Sequence, residues 1–116
     1  VLKERLRLKR LLAKRYINAF KNINNARILE ETSSFDYSNY WLVTLILDNE
    51  LSDISSLRKE IINMAKIRKI QLRPCWQLIH QTEMYKNCFK SNLDNAEHAS
   101  RQIISLPSSP QITLNK

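Results

Sequence analysis

Apolar residues recur at helical spacing at both ends of the first half of the chain, and an almost unbroken apolar run lies between them. From residue 2 to about 24, Leu8, Leu12, Tyr16, Ala19, Phe20 and Ile23 follow one another at three- and four-residue steps. That period predicts an amphipathic helix with a single apolar stripe. Asn22 to Asn25 is polar and ends it, and Ala26 to Thr32 reads as a short strand. The turn formers of Ser33-Ser34-Phe35-Asp36-Tyr37-Ser38-Asn39 predict a surface loop. Tyr40-Trp41-Leu42-Val43-Thr44-Leu45-Ile46-Leu47-Asp48 is rich in β-branched and aromatic side chains and predicts a strand buried on both faces.

A second helix is signalled by Ser52 or Asp53 as its cap. Ile54, Leu57, Ile61, Met64 and Ala65 follow on one face, with Met64 as core filler, while Arg58, Lys59, Lys66 and Lys69 stay in water. Ile70 to Arg73 returns as a strand, which makes residues 40–73 a strand–helix–strand unit, and Pro74 stops that strand by removing a ladder donor. A helical turn is expected at Gln81 to Tyr85. A third helix begins at Asn92 or Asp94, with Ala96, Ala99 and Ile103 on one side, acidic residues at its start and Arg101 near its end. Leu106-Pro107-Ser108-Ser109-Pro110 reads as an extended or turned segment, and residues 111–116 carry no clear signal. The pattern predicts an α/β fold: a few-stranded sheet with flanking helices over residues 26–116, preceded by a basic amphipathic helix over residues 1–25.

Composition narrows the function classes. At 116 residues the chain is the size of one domain, and 43% apolar with 26% charged side chains is a globular balance. Glycine is absent. A dinucleotide-binding GxGxxG loop and a P-loop both need glycine where backbone approaches phosphate, so neither is present in these residues. No apolar run reaches the length of a membrane span, and none forms a secretory leader. Cys75 and Cys88 are therefore expected as free thiols in a reducing cytoplasm.

The formal net charge of +8 suggests nucleic acid, yet the charge is confined. Residues 1–21 hold Lys3, Arg5, Arg7, Lys9, Arg10, Lys14, Arg15 and Lys21 against Glu4 alone, whereas the remainder is nearly neutral, with eleven basic and ten acidic side chains. Lys3, Arg7, Arg10 and Lys14 form a basic stripe. A groove-binding or membrane-surface helix is one reading; the favoured one is a solvated face whose apolar side docks on another domain. No aromatic alternation of the single-strand-binding kind accompanies the stripe.

Four side chains suit a metal: Cys75, His80, Cys88 and His98. Their spacing lacks the close pairs that preorganise zinc ligands, and no orienting third residue supports a Cys75–His80 nucleophile. Arg73, Trp76 and His80 are the better group. They follow a strand end fixed by a proline, where a loop can carry function on a rigid support. The arginine can grip a phosphate bidentately, the indole can cover a sugar or base face, and the imidazole can donate to a hydroxyl. In the alternative reading Trp76 fills the core, Arg73 pairs with a carboxylate such as Glu83, and His80 is a surface residue. Tyr40, Tyr85 and Lys86 are lesser candidates.

The residues Lys14-Arg15-Tyr16-Ile17, Tyr40-Trp41, Arg73-Pro74, Trp76, Leu78, His80, Met84-Tyr85, Ala96-Glu97 and Leu106-Pro107-Ser108-Ser109 together resemble the C-terminal region of the DegT/StrS family of pyridoxal-phosphate-dependent nucleotide-sugar aminotransferases. The likeness is to the legionaminic-acid and perosamine-type branches. It implies that residues 26–116 are the α+β small domain, and residues 1–25 the connecting helix, of a fold-type-I enzyme. Such an enzyme moves an amino group from glutamate to a 4-keto nucleotide sugar in surface polysaccharide biosynthesis. Arg73, Trp76 and His80 would then line the substrate cleft.

The same likeness implies that the Schiff-base lysine, the cofactor's aspartate and its phosphate loop belong to a large domain outside these residues. No lysine here is assigned a catalytic role, and no residue of this chain is assigned to cofactor or metal. The expected partners are that large domain, a second copy as a homodimer and the nucleotide sugar, and the chain is expected to be inactive alone. The rival readings are a small basic nucleic-acid-binding protein and a non-catalytic interaction module.

Overall fold

The computed structural model describes residues 1–33, 37–48 and 53–114. The first helix, α1 (Leu2–Phe20), is built from leucine, lysine, arginine and alanine, all good helix formers. Leu8, Leu12 and Ala13 are its buried residues. It docks on strand β1 (Ala26–Ile28) and on a C-terminal 3-10 helix (Pro110–Thr113), so part of its apolar side is covered within this chain, while Ala19 and Ile23 of the stripe stay exposed. Asn25 makes the turn into β1 with φ of 66°, a conformation that asparagine tolerates better than most residues.

Strand β2 is Val43–Leu47, shorter than the run that predicts it. Val43, Leu45 and Leu47 are buried while Thr44 and Ile46 are half-buried, so the strand has one core face rather than two. Tyr40 explains the late start: its φ is 45°, outside the extended region, and Trp41 and Leu42 stay exposed.

The second helix, α2 (Ile54–Ile67), is capped by Asp53, whose carboxylate accepts from the Ser56 N–H at 3.1 Å. Hydrogen bonding holds the Asp53 carboxyl below its ordinary pKa. Ser52, the other candidate cap, lies outside the described residues. At the far end Ile70 N donates to Ala65 O and Lys69 N to Lys66 O, a Schellman closure with Lys69 left-handed at φ 60°. In a chain without glycine, a lysine takes the position that glycine usually fills. Ile54, Leu57, Ile61 and Ile62 pack against the core, but Met64 is 48% exposed and fills nothing.

Strand β3 is Arg73–Pro74, and Ile70 to Leu72 is not part of it. Pro74 is the last paired residue and the strand stops there as expected, a position a proline can hold on an edge strand. The third helix, α3 (Asp94–Gln102), packs on α2, where the Arg58 guanidinium donates to Ser100 O. Asn92 orders its start by accepting from the Asp94 N–H. Ile103 is not a helix residue but the first of β4 (Ile103–Leu106), and Ala96 is exposed.

The sheet order is β1-β2-β4-β3, with every neighbouring pair antiparallel. Both β2 and β3 run against β4 and hence parallel to each other, so β2-α2-β3 is a split crossover unit with β4 inserted between its strands. Ile104 (0% exposed) pairs with Leu45, and Leu106 with Val43. These four, with Ala13, Ile28 and Leu47, form the core on which α1 and α2 lie. The α/β small-domain expectation holds: a few-stranded sheet flanked by helices.

Candidate substrate-facing site

The junction of α1 with the Leu106-Pro107-Ser108-Ser109 turn sets the geometry at one end of the sheet. Lys9 Nζ donates to Ser108 O at 2.7 Å and to Trp41 O at 3.2 Å. Ser108 Oγ donates to the same Trp41 carbonyl at 2.9 Å, and Tyr16 Oη donates to Pro107 O at 3.0 Å. Further along, Thr113 Oγ1 donates to Leu8 O at 3.2 Å and Arg15 donates to Thr113 O. Partial burial pushes the Lys9 ammonium down and the Tyr16 phenol up from their ordinary pKa values. A basic side chain that composition alone assigns to a solvated stretch is thus a clasp between three segments.

The Trp41 backbone is held on both sides, since Asn39 Oδ1 accepts from its N–H at 2.9 Å. Its indole projects outward, 62% exposed, and meets the 69%-exposed indole of Trp76 edge to face, with centroids 5.9 Å apart and planes at 72°. Trp76 therefore does not fill the core, and its aromatic neighbour is a residue that sequence reasoning placed inside a strand. Arg73 lies three residues earlier, at most about 11 Å away along the chain. It is exposed, and its side chain has no hydrogen bond or ion pair among the described residues. Glu83, its suggested partner, pairs with Lys86 at 2.5 Å.

His80 is brought somewhere else. It sits in a 3-10 turn (Ile79–Gln81), and its Nε2 lies 2.8 Å from Glu97 Oε1 on α3, with only 12% of the side chain exposed. It is neither a surface residue nor openly presented: it ties the 75–81 loop to α3 and leaves Nδ1 as the uncommitted nitrogen. The expected turn at Gln81 to Tyr85 begins two residues early, and turns continue to Asn87. Tyr85 and Lys86 lie on these turns and are exposed, while Tyr40 packs against the core. No sequence signal marks the His80–Glu97 pairing across seventeen positions.

The other candidate chemistries change in the fold. Among the described residues, no three of the histidine, cysteine and acidic side chains gather as a metal site. Cys75 is half-buried and Cys88 exposed, both as free thiols. Arg7 pairs with Glu4, and Arg10 pairs with Glu31 at 2.8 Å, donates to Ser38 O and lies 4.0 Å from the Tyr37 ring. The basic stripe is therefore partly neutralised within the domain. Among the described residues no helix is long and apolar enough to cross a membrane.

Comparison with known proteins agrees with the fold. The model of the DegT/DnrJ/EryC1/StrS aminotransferase family matches residues 1–116. "Putative pyridoxal phosphate-dependent aminotransferase EpsN" of Bacillus subtilis (strain 168) is 32% identical over 97% of this chain, which spans 29% of that protein's length. Helicobacter pylori PseC, an aminotransferase involved in the biosynthesis of pseudoaminic acid, superposes with a TM-score of 0.77 at 21% identity, over 95% of this chain and 30% of its own. DesI, solved in the presence of its TDP-sugar product, superposes with a TM-score of 0.77 at 15% identity, over 94% of this chain and 27% of its own. The chain belongs to the DegT/DnrJ/EryC1/StrS aminotransferase family.

Proposed function

We propose that these residues form the C-terminal, substrate-facing domain of a pyridoxal-phosphate-dependent enzyme that transfers the amino group of glutamate to a 4-keto nucleotide sugar during surface polysaccharide biosynthesis. The observation that carries this reading is Arg73, exposed and without a side-chain partner among the described residues, on the edge strand that leads three residues later to the exposed Trp76. A guanidinium presented from a rigid strand suits a diphosphate, and an indole next to it suits a ring. His80, anchored by Glu97, keeps that loop in place and offers Nδ1 toward a hydroxyl. PseC and DesI, by what they make or bind, agree with a sugar substrate.

The cofactor does not fit these residues alone. Its aldehyde needs a free lysine amine, and its phosphate needs a nest of donors. Lys9, with its lowered pKa, is committed to two carbonyls, the other described lysines are all exposed on the surface, and the glycine-free chain offers no tight phosphate-binding loop. We therefore assign the cofactor to a separate large domain, and expect this chain to be inactive alone and to act in a homodimeric, cytoplasmic enzyme. When bound there, pyridoxal phosphate supplies the amino-group carrier. The residues described here bind and orient the sugar nucleotide.

The test is a chimera in which this chain replaces the matching segment of EpsN. A folded, cofactor-loaded chimera should aminate a keto nucleotide sugar, and Arg73→Ala should raise KM at least about tenfold, the scale of one lost charge-assisted contact. A loaded chimera that binds no nucleotide sugar would refute the substrate reading. Adding pyridoxal phosphate, glutamate and keto sugar to the 116-residue chain should give neither a cofactor absorbance band nor turnover; both appearing would refute the division of labour.

A further inference from the structure

We infer that Trp41 is the second half of an aromatic platform, with Trp76, on which the nucleoside base of the nucleotide-sugar substrate lies. This rests on the substrate reading above and adds to it a residue from the opposite side of β4, together with the part of the ligand it meets.

Three independent features converge on Trp41. The first is presentation. Tryptophan is on average a highly buried residue, yet both tryptophans of this chain are more than 60% exposed and touch each other. An edge-to-face pair leaves one indole face open with the second indole's edge beside it, forming a corner that accepts a planar ring by stacking.

The second feature is rigidity. A loop tryptophan without a role needs no fixed backbone, but this one has its N–H held by Asn39 Oδ1 and its carbonyl held by both Lys9 Nζ and Ser108 Oγ. Tyr40 immediately before it has φ of 45°, a conformation that a bulky residue adopts only when its surroundings impose it. The clamp turns the chain out of the β2 direction and aims the indole away from the core that Tyr40 and Val43 enter.

The third feature is neighbourhood. Arg73 lies three residues before Trp76, at most about 11 Å away along the chain, and its side chain has no carboxylate partner among the described residues. An aromatic corner for a base and a free guanidinium for a diphosphate together describe a nucleoside diphosphate more closely than an apolar peptide, which would have no use for the arginine. Stacking of this kind accepts any base, so Trp41 supplies affinity, and selection among bases lies with other groups.

The chain reports on this site directly, because its only two tryptophans are the platform. The 116-residue chain is titrated with UDP, TDP and GDP, and separately with inorganic pyrophosphate, following tryptophan fluorescence and calorimetric heat. Nucleoside diphosphates should quench the fluorescence, and pyrophosphate should bind more weakly without quenching. Trp41→Ala should weaken nucleotide binding about tenfold and leave pyrophosphate binding unchanged, whereas Trp41→Phe, which keeps an aromatic face, should stay near the wild type.

A folded Trp41→Ala chain that binds nucleotides as tightly as the wild type overturns the platform. If Arg73→Ala still abolishes binding in that case, the substrate reading stands without Trp41. A wild-type chain that binds neither nucleotide nor pyrophosphate overturns both.

Discussion

Lys9 is the residue whose removal should reach furthest. Replacing it with methionine keeps most of the aliphatic stem against the protein and deletes only the ammonium. The 2.7 Å bond to Ser108 O is short and charge-assisted, which places it at about 2 kcal/mol, and the 3.2 Å bond to Trp41 O adds less than about 1 kcal/mol. Against these stands the recovered cost of desolvating the ammonium, visible as its lowered pKa.

Trp41 O keeps the Ser108 hydroxyl as a donor, but Ser108 O loses the ammonium. The net expectation for Lys9→Met is a loss of about 2 kcal/mol, or about 8 °C in Tm for a domain of this size. Urea and thermal unfolding followed by far-UV circular dichroism give the number. Lys14→Met, which removes an exposed lysine of the same helix, is the control and should change stability by less than about 0.5 kcal/mol. If the two variants unfold alike, the clasp contributes nothing and the account of the α1–turn junction is wrong.

Two further outcomes test the packing. Ile104→Ala, at the centre of the sheet, should cost about 2–5 kcal/mol in urea unfolding, and a loss below about 1 kcal/mol would mean that the site collapses or is not the core. Burial raises the Tyr16 pKa in the folded state, so its contribution to stability is complete below the unfolded value of about 10 and is lost as pH rises through the folded one. Tyr16→Phe should therefore lose about 1 kcal/mol at neutral pH, with the Pro107 hydrogen bond, and should show a shallower fall in stability above pH 10 than the wild type. Equal slopes in alkaline unfolding would contradict it.

Where sequence reasoning succeeded, short-range chemistry decided the outcome. Asp53 caps α2 because its carboxylate reaches a donor three residues away, and Leu8 and Leu12 are buried at the spacing their helix dictates. The misplacements involve longer range. Ile103 continues the spacing of Ala96 and Ala99, but pairing with Ile46 makes it a strand residue, so the central strand β4 was hidden behind a helix pattern. Met64 has the right period and the wrong angle to the core. Trp41 belongs to an apolar run that reads as buried, and only the left-handed Tyr40 turns it outward. The exposure of Arg73 and Trp76 follows from the proline and strand end beside them, whereas the partner of His80 comes from a helix that the sequence does not bring near it.

The insertion of β4 between β2 and β3 has a consequence for how the chain acquires its shape. During synthesis the strands that flank β4 emerge first, and neither has a neighbour on its inner side until residues 103–106 leave the ribosome. Until then the open edge of β2 is a stretch of valine, leucine and isoleucine backbone free to pair with another nascent chain. The last of the described strands closes the sheet, so any pause or proteolytic cut ahead of Ile103 leaves an aggregation-prone half-sheet rather than a smaller folded domain.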